Sequence, residues 1–255
     1  MRLILYLIAA VALPGQPGDF ATRYAAEVTR QYYLPSRLLD RYAMAVEAAP
    51  QFACGEFVGL VDRNPQVQAF VLYWKGPDGR AHLVGASPVS TGLPGRFEYF
   101  ESPLGVFDHS LANPDYRALG TRNELGIRGY GRKGMRVYDF GWVASRRGWG
   151  DGREGVLRLQ MHSTDPDLLE PRLGRPLSKG CIRIPESLNR FLDRYGILDG
   201  DYYRAAMAGN RHFTLAADWS PGPWSGRYLA IVDSRHSACL LPPAKPAPNT
   251  GRSPP

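Results

Sequence analysis

The fold is predicted most directly by the stretch from residue 57 to residue 90, FVGLVDRNPQVQAFVLYWKGPDGRAHLVGASPVS. Its apolar runs at 57–62, 66–75 and 81–90 are rich in β-branched and aromatic residues, which favour strands. A Gly-Pro-Asp-Gly turn at 76–79 separates the last two runs, so we expect them to form a β-hairpin. The 28 glycines and 22 prolines among 255 residues also favour strands and turns over a helical bundle.

Helices are predicted on the N-terminal side of this stretch, where apolar groups recur at three- and four-residue steps between residues 19 and 50. Pro35 interrupts the pattern, so two short helices are expected rather than one. On the C-terminal side, we expect an amphipathic helix from Glu186 to Tyr195, with Gly196 at its C-cap. Further strands are predicted at 103–107, 135–140, 155–161 and 228–232. The fold class is therefore expected to be mainly β (α+β).

The region between residues 113 and 153 is rich in glycine and in basic residues. Its glycine density excludes a long helix and predicts strands joined by basic loops. Aromatic residues in it either flank a groove or pack in the core, and core packing is the expected role. These aromatic residues are Tyr130, Tyr138, Trp142 and Trp149.

Both ends of the chain have a distinct composition. Residues 1–15, MRLILYLIAAVALPG, place one arginine before an apolar run that is too short to span a bilayer. This is typical of a signal peptide, which we expect over residues 1–18, with export to the periplasm or cell envelope. An uncleaved membrane anchor and a buried N-terminal segment are the alternatives. The Pro-rich residues 242–255 are expected to be disordered.

The charge balance of 31 basic and 24 acidic residues, net +7, suits an anionic partner such as an acidic wall polymer, or serves solubility alone. No nucleic-acid partner is expected, because no Cys/His finger, RNA-binding aromatic motif or basic helix repeat is present. The three cysteines are an odd number, which leaves at least one free thiol. Cys54 and Cys239 either form a disulfide or are unrelated thiols. No CxxC pair occurs and the five histidines are scattered, so no metal site is expected.

The remaining cysteine, Cys181, lies in a sequence suited to a nucleophile, SKGCIR at 178–183. A histidine within reach can take the thiol proton or hold the thiolate as an ion pair, and His162 follows the strand predicted at 155–161. Gly180 has no Cβ, so the chain can turn sharply there and a carbonyl can approach closely. Lys179 adds a positive charge that favours thiolate, and Arg183 suits a carboxylate bound through two hydrogen bonds.

Three segments together, 162–164 (HST), 173–176 (LGRP) and 178–183 (SKGCIR), closely resemble the catalytic motif of YkuD-type L,D-transpeptidases. Every fixed position of that motif is filled, although Ser163 replaces the commoner glycine. Residues 89–92 and 102–107 resemble the family's upstream strand and turn. The resemblance covers roughly residues 56–205, with a poor match between 113 and 153.

The resemblance implies an L,D-transpeptidase-like β-sandwich or barrel with a few helices over residues 56–205. A helical segment (19–55) would precede it, and a C-terminal extension (206–241) would follow it. The implied enzyme is a cysteine acyltransferase of cell-wall biogenesis, monomeric and without a cofactor. Its thiolate attacks the third residue of a peptidoglycan stem peptide, releases D-Ala and passes the acyl group to an amine. That amine belongs to a second stem peptide or to the lysine of a wall-linked protein.

The resemblance also implies a role for each residue of the motif. Cys181 is the nucleophile and His162 the general base and then acid, with its ring oriented by the Ser163 carbonyl. The N–H groups of Gly180 and Cys181 form the oxyanion hole. The residues implied to position substrate, or to brace the loop, are Ser178, Lys179 and Arg183.

Two other functions are compatible with the same motif. One is an L,D-carboxypeptidase or hydrolase, with water as the acceptor. The other is a non-catalytic wall-binding protein. The remaining histidines, His82, His109, His212 and His236, are expected to be structural or surface residues, although His109 is also a candidate to line the cleft.

Overall fold

The computed structural model describes residues 17–236. The predicted signal peptide up to residue 16, the Pro-rich tail and Cys239 lie outside the described residues. The described part is a mixed α/β structure with two β-sheets and four α-helices. The helices are α1 (Phe20–Glu27), α2 (Ser36–Ala48), α3 (Glu186–Arg194) and α4 (Gly200–Met207), with 3-10 turns at Pro17–Asp19 and Glu170–Arg172. Within residues 17–236, each helix is too short or too polar to cross a membrane.

The strands of the described residues are β1 (Glu56–Asp62), β2 (Ala69–Lys75), β3 (Ala81–Pro88), β4 (Gly105–Asp108), β5 (Tyr116–Arg117), β6 (Arg136–Arg146), β7 (Glu154–Ser163), β8 (Ile182–Ile184) and β9 (Tyr228–Val232). The first sheet has the order β3-β2-β1-β9-β4, and the second has the order β5-β6-β7-β8. Most neighbours are antiparallel, but β9 runs parallel to β1 and β8 runs parallel to β7.

The predicted hairpin is present as the antiparallel pair β2–β3. Strand β2 begins at Ala69 and not at residue 66, because the backbone N–H groups of Val67 and Gln68 both donate to the Asn64 carbonyl in a turn. The two predicted N-terminal helices are also present, and the chain between them, next to Pro35, is not helical. Strand β7 continues one residue beyond His162, which therefore lies inside the strand.

A hydrophobic core joins the two sheets. It contains buried side chains of β1 and β2, of β6 to β8, and of the helices α1 and α3. Helix α2 packs on the other face of the first sheet, where Tyr42 and Val46 contact the cluster around Val58 and Leu60. The first sheet is thus covered on both faces. The second sheet turns Leu159 and Met161 towards the core, so its alternate residues lie on the opposite face.

A buried charged cluster ties the C-terminal part of the chain to the second sheet. Arg136 is fully buried and forms ion pairs with Asp115 at 2.6 Å and with Asp199 at 2.7 Å. The indole N–H of Trp219 donates to the same Asp199 carboxylate at 2.7 Å. Strand β9, which follows this region, lies between β1 and β4. The segment after residue 205 therefore supplies an internal strand of the first sheet.

His109 belongs to this buried cluster, in agreement with a structural role. Its Nδ1 faces the Leu198 carbonyl at 2.7 Å and its Nε2 faces the Asp115 carboxylate at 2.8 Å. Both partners are acceptors, so both ring nitrogens donate. Burial lowers the pKa of His109, but attraction by the Asp115 carboxylate outweighs it, and the pKa is raised.

Candidate active site

Strand pairing brings the predicted base and nucleophile to one face of the second sheet. His162 lies opposite Arg183 in the parallel pair β7–β8, and Cys181 immediately precedes β8. Paired residues and alternate residues along a strand point to the same face. His162, Gln160 and Arg183 therefore share the face opposite the core, and Cys181 reaches the same part of the sheet at the edge of β7.

The Cys181 sulfur lies against the edge of β7 at the point where pairing with β8 has stopped. It is 3.8 Å from the Arg158 carbonyl oxygen and accepts a hydrogen bond from the Gln160 backbone N–H. The residue is partly exposed. Burial raises the pKa of the Cys181 thiol, while the Gln160 N–H and the charge of Arg183 act in the opposite direction. The resting side chain is accordingly a thiol.

The His162 imidazole is held as a neutral base. Its Nδ1 donates to the Ser163 carbonyl at 2.6 Å, and a carbonyl only accepts, so Nδ1 carries the proton and Nε2 has a lone pair. Burial lowers the pKa of His162 to about 4, and the nearby Arg183 charge adds to this. Within the described residues, no hydrogen bond joins the ring to the Cys181 sulfur. The pair is therefore a neutral thiol beside a neutral imidazole, not an ion pair.

The turn before Cys181 is held by two buried serines. Ser178 Oγ accepts the Gly180 N–H at 3.0 Å and donates to the Cys181 carbonyl at 2.5 Å. Ser102 lies in the connection between β3 and β4 of the first sheet, and its Oγ donates to the Gly180 carbonyl at 2.6 Å. Ser178 is 1% exposed, so it braces the loop and does not present its hydroxyl to a substrate.

Gly180 has a steric role, as its lack of a Cβ predicts, but its N–H does not suit the predicted oxyanion role. Its N–H is already donated to Ser178, so of the two predicted oxyanion donors only the Cys181 N–H remains a candidate. The φ angle of Gly180 is +133°, and a Cβ there would lie 2.8 Å from a methyl carbon of Leu157. Only glycine fits this conformation without strain or movement of Leu157.

The predicted effect of Lys179 on the thiol is wrong, because its side chain points elsewhere. Its ammonium group lies 3.2 Å from the Glu98 carboxylate and over the Tyr99 ring. Arg183 supplies the cation that acts on the thiol instead. The Arg183 guanidinium donates to the Leu177 carbonyl at 3.4 Å, and no carboxylate of residues 17–236 forms an ion pair with it. It therefore keeps donors for an anionic ligand.

A polar network that was not predicted lies beside the pair. The buried Asp139 carboxylate accepts hydrogen bonds from Arg158 Nε at 2.7 Å and from Gln160 Nε2 at 2.9 Å. The Tyr130 hydroxyl donates to Gln160 Oε1 at 3.2 Å, and the Tyr130 ring lies 4.6 Å from the His162 ring between centroids. The period-two pattern of strand β7 is the signal that identifies Arg158 and Gln160, because both precede His162 at two-residue steps.

The candidate histidines His82 and His212 contact other parts of the chain. His82 is near Asp78 at 3.8 Å, and His212 contacts the Thr214 hydroxyl at 2.7 Å. Of the four aromatic residues, only Tyr138 is fully buried, while Tyr130 and Trp142 are 41% and 42% exposed. Within the described part of the chain, no group of three His, Cys, Asp or Glu side chains is arranged to hold a metal ion.

Comparison with known proteins identifies no relative: no family model matches the chain, and no curated protein is significantly similar to it. The function is therefore inferred from the site itself. Its defining features are a thiol, a neutral imidazole with a fixed tautomer, and an arginine without a carboxylate partner in the described residues.

Proposed function

We propose that this protein is a peptidoglycan L,D-transpeptidase of the YkuD type, with Cys181 as its nucleophile. The observation that carries the proposal is the register of β7 and β8. It brings Cys181 and His162 to one sheet face, and the Ser163 carbonyl fixes Nδ1 of the imidazole. The two-sheet architecture is compatible with an L,D-transpeptidase-like β-sandwich. The proposed location is the periplasm or cell envelope, where the net charge of +7 suits an anionic wall polymer.

Acylation begins with a proton transfer. His162 Nε2 takes the proton from the Cys181 thiol as the sulfur attacks the carbonyl of the third stem residue, which D-Ala follows. The Cys181 N–H is the candidate donor for the developing oxyanion. When the tetrahedral intermediate collapses, the C–N bond breaks and the protonated His162 gives its proton to the leaving amine of D-Ala. A thioester on Cys181 remains.

Deacylation uses the same groups in reverse. The amine of a second stem peptide, or of a wall-linked protein lysine, attacks the thioester carbonyl while Nε2 takes a proton from it. The C–S bond then breaks, and the sulfur regains the proton from His162. The tautomer held by Ser163 serves both halves of the reaction, because it leaves a lone pair on Nε2, which acts as base and, once protonated, as acid.

Purified protein incubated with disaccharide-tetrapeptide muropeptides tests the proposal. Cross-linked dimers would support transpeptidation, and their loss in Cys181→Ala would tie them to this thiol. Cys54→Ala, at an exposed cysteine, is the matched control and should retain the activity. Tripeptides without dimers would indicate an L,D-carboxypeptidase. Unchanged muropeptides together with binding of intact sacculi would indicate a wall-binding protein and contradict the proposal.

A further inference from the structure

Three aromatic side chains form a ridge at the tip of the β6–β7 hairpin. Phe97 and Phe100 lie in the connection between β3 and β4, and Trp149 lies in the hairpin turn. The Trp149 ring contacts the rings of Phe97 and Phe100, at 5.8 and 4.9 Å between centroids, in edge-to-face geometry. Phe97 is 74% exposed, so most of its ring is open to solvent although the cluster holds it in place. This aromatic ridge lies outside the hydrophobic core.

The turn that carries Phe97 is fixed to the hairpin at both ends. The Gly95 N–H donates to the Gly148 carbonyl at 2.6 Å, and the Gly148 N–H donates to the Tyr99 carbonyl at 2.7 Å. Glu98, which follows Phe97, has a φ of +63°, in the left-handed region that side chains disfavour. Backbone strain of this kind persists only where the surrounding contacts impose it, and it is common at ligand sites. Phe97 is therefore presented by a preformed turn, which lowers the entropy cost of binding a ligand.

The aromatic ridge is continuous with the turn that precedes Cys181. The Phe100 N–H donates to the Lys179 carbonyl at 3.0 Å, and a Cβ at Gly180 would lie 3.2 Å from the Phe100 Cβ. Phe97 precedes Phe100 by three residues, which limits the distance between their Cα atoms to about 11 Å. A ligand that covers Phe97 is therefore close enough to be part of the molecule that reacts at the thiol.

The charges around the aromatic ridge favour a neutral ligand. Residues 94–101 and 146–154 together with Lys179 include five basic and four acidic residues, a net charge of +1 against +7 for the whole chain. Lys179 pairs with Glu98 at 3.2 Å, and Arg153 pairs with Asp151 at 2.7 Å. The ridge therefore does not carry the positive excess of the chain, which argues against an anionic lipid surface. Exposed rings with polar side chains beside them suit sugars, because a sugar ring has an apolar C–H face and polar hydroxyl groups at its edge.

We propose that the aromatic ridge binds the glycan strand of the wall polymer, with the Phe97 ring stacked on the apolar face of an N-acetylhexosamine. The proposal rests on the proposed function, which makes peptidoglycan the substrate. The three stem residues between the sugar and the attacked carbonyl span roughly 11 Å when extended, which is comparable to the largest separation of Phe97 and Phe100. The stem peptide thus reaches Cys181 while its sugar is held on the ridge.

Binding of chitohexaose tests this without any stem peptide. This sugar has the β-1,4-linked N-acetylhexosamine backbone of the wall glycan but carries neither peptide nor charge. We expect isothermal titration calorimetry to detect binding to the wild type, with an affinity that added salt leaves unchanged because no ion pair forms. In Phe97→Ala the affinity should fall by at least about fivefold, as is usual for an aromatic anchor. Phe97→Tyr keeps the ring and should keep the affinity.

Phe213→Ala is the matched control, because Phe213 is 87% exposed and lies after α4, and it should bind chitohexaose as the wild type does. The proposal is overturned if the wild type does not bind chitohexaose, which requires no variant to fold, or if Phe97→Ala and Phe213→Ala have equal effects. Binding to phosphatidylglycerol vesicles that is lost in Phe97→Ala, without binding of chitohexaose, would assign the ridge to a membrane and also overturn it. Chitohexaose binding by a protein that leaves muropeptides unchanged would contradict the transpeptidase function alone.

Discussion

The chemistry of the site depends on the protonation state of His162. An imidazole of ordinary pKa, about 6.5, would lose its basic nitrogen in mildly acidic solution. Burial lowers the pKa of His162 to about 4, so Nε2 stays unprotonated down to that pH. The thiol has a raised pKa and therefore needs this base at neutral pH.

The pH dependence of acylation follows from this state. We expect a carbapenem to acylate Cys181 at a rate that stays level through mildly acidic pH and falls only near pH 4, where Nε2 becomes protonated. His162→Ala should slow acylation by roughly 10²–10⁴-fold at neutral pH, the usual contribution of a general base. Intact-protein mass spectrometry over a pH series measures the acylation rates of the wild type and of His162→Ala. A midpoint near pH 6.5 would show an imidazole that is not desolvated.

Gly180→Ala tests the steric role of that residue. The added Cβ would meet Leu157 at 2.8 Å in a backbone conformation that alanine disfavours. We expect acylation to fall by more than about tenfold and the protein to lose about 1–3 kcal/mol of stability. Gly129→Ala is the control, because nothing lies within 4 Å of a Cβ there. Equal effects of the two substitutions would argue against a special conformation at Gly180.

At the scale of elements, the segment between β5 and β6 shapes the environment of His162. Tyr130 lies in this segment, and its backbone carbonyl accepts a hydrogen bond from Ser163 Oγ at 3.1 Å. The Arg128 guanidinium, in the same segment, forms an ion pair with the carboxylate of Asp165, which follows His162 by three residues. The ring of Tyr130 thus covers the imidazole from one of the basic, glycine-rich loops, and at 41% exposure it does not have the core-packing role that was expected.

Removing the Tyr130 ring should raise the pKa of His162. In Tyr130→Ala the imidazole becomes more exposed, its pKa rises towards the ordinary value, and the acid limb of the acylation profile moves to higher pH. Tyr130→Phe keeps the ring and should keep the limb. Titration of the His162 ring by NMR is an independent readout. An unchanged limb in Tyr130→Ala would show that this loop does not contribute to the desolvation.

The elements that could be predicted from sequence are those with a local signal. The hairpin β2–β3 has two apolar runs separated by a strong turn, and α3 has an amphipathic period with Gly196 after it. Strands β5 and β8 have two and three residues, which is too short for a periodic pattern. Helix α4 was also missed. Its Gly200–Met207 sequence is stabilised by distant partners, for example Tyr202, whose hydroxyl accepts the Asp115 N–H.

The site residues also divide into those with a local sequence signal and those whose contacts are remote in sequence. The motif identified Cys181, His162 and the Ser163 carbonyl contact, because these lie within a short segment. The Arg158–Asp139 ion pair could not be predicted, since it joins two strands whose register depends on the fold. The direction of the Lys179 side chain depends on Glu98, which is also remote in sequence.

At the scale of the whole molecule, Arg136 connects β6 with the loop at Asp115 and the turn at Asp199. Its guanidinium also lies between the rings of Tyr138 and Tyr202, at 4.9 and 5.0 Å. Removing it leaves buried carboxylates without their cation. This penalty is typically several kcal/mol.

We therefore expect Arg136→Met to lower the free energy of unfolding by about 3–5 kcal/mol, measured by urea denaturation. Arg146→Met is the control, because Arg146 is 68% exposed and its side chain forms a long ion pair with Glu101 at 3.7 Å and a surface hydrogen bond to the Gly152 carbonyl at 3.3 Å. That control should change stability by less than about 0.5 kcal/mol. A loss below about 1 kcal/mol in Arg136→Met would mean that the cluster is dispensable for the fold.

In the proposed reaction, the Cys181 sulfur takes the acyl group of a stem peptide. The most direct measurement is intact-protein mass spectrometry after rapid mixing with a disaccharide-tetrapeptide donor, followed by acid quenching and peptide mapping. We expect an added mass equal to the donor minus D-Ala, located on Cys181, absent in Cys181→Ala and slow to form in His162→Ala. Release of D-Ala without a covalent adduct, or an adduct on Cys54 instead, would contradict it.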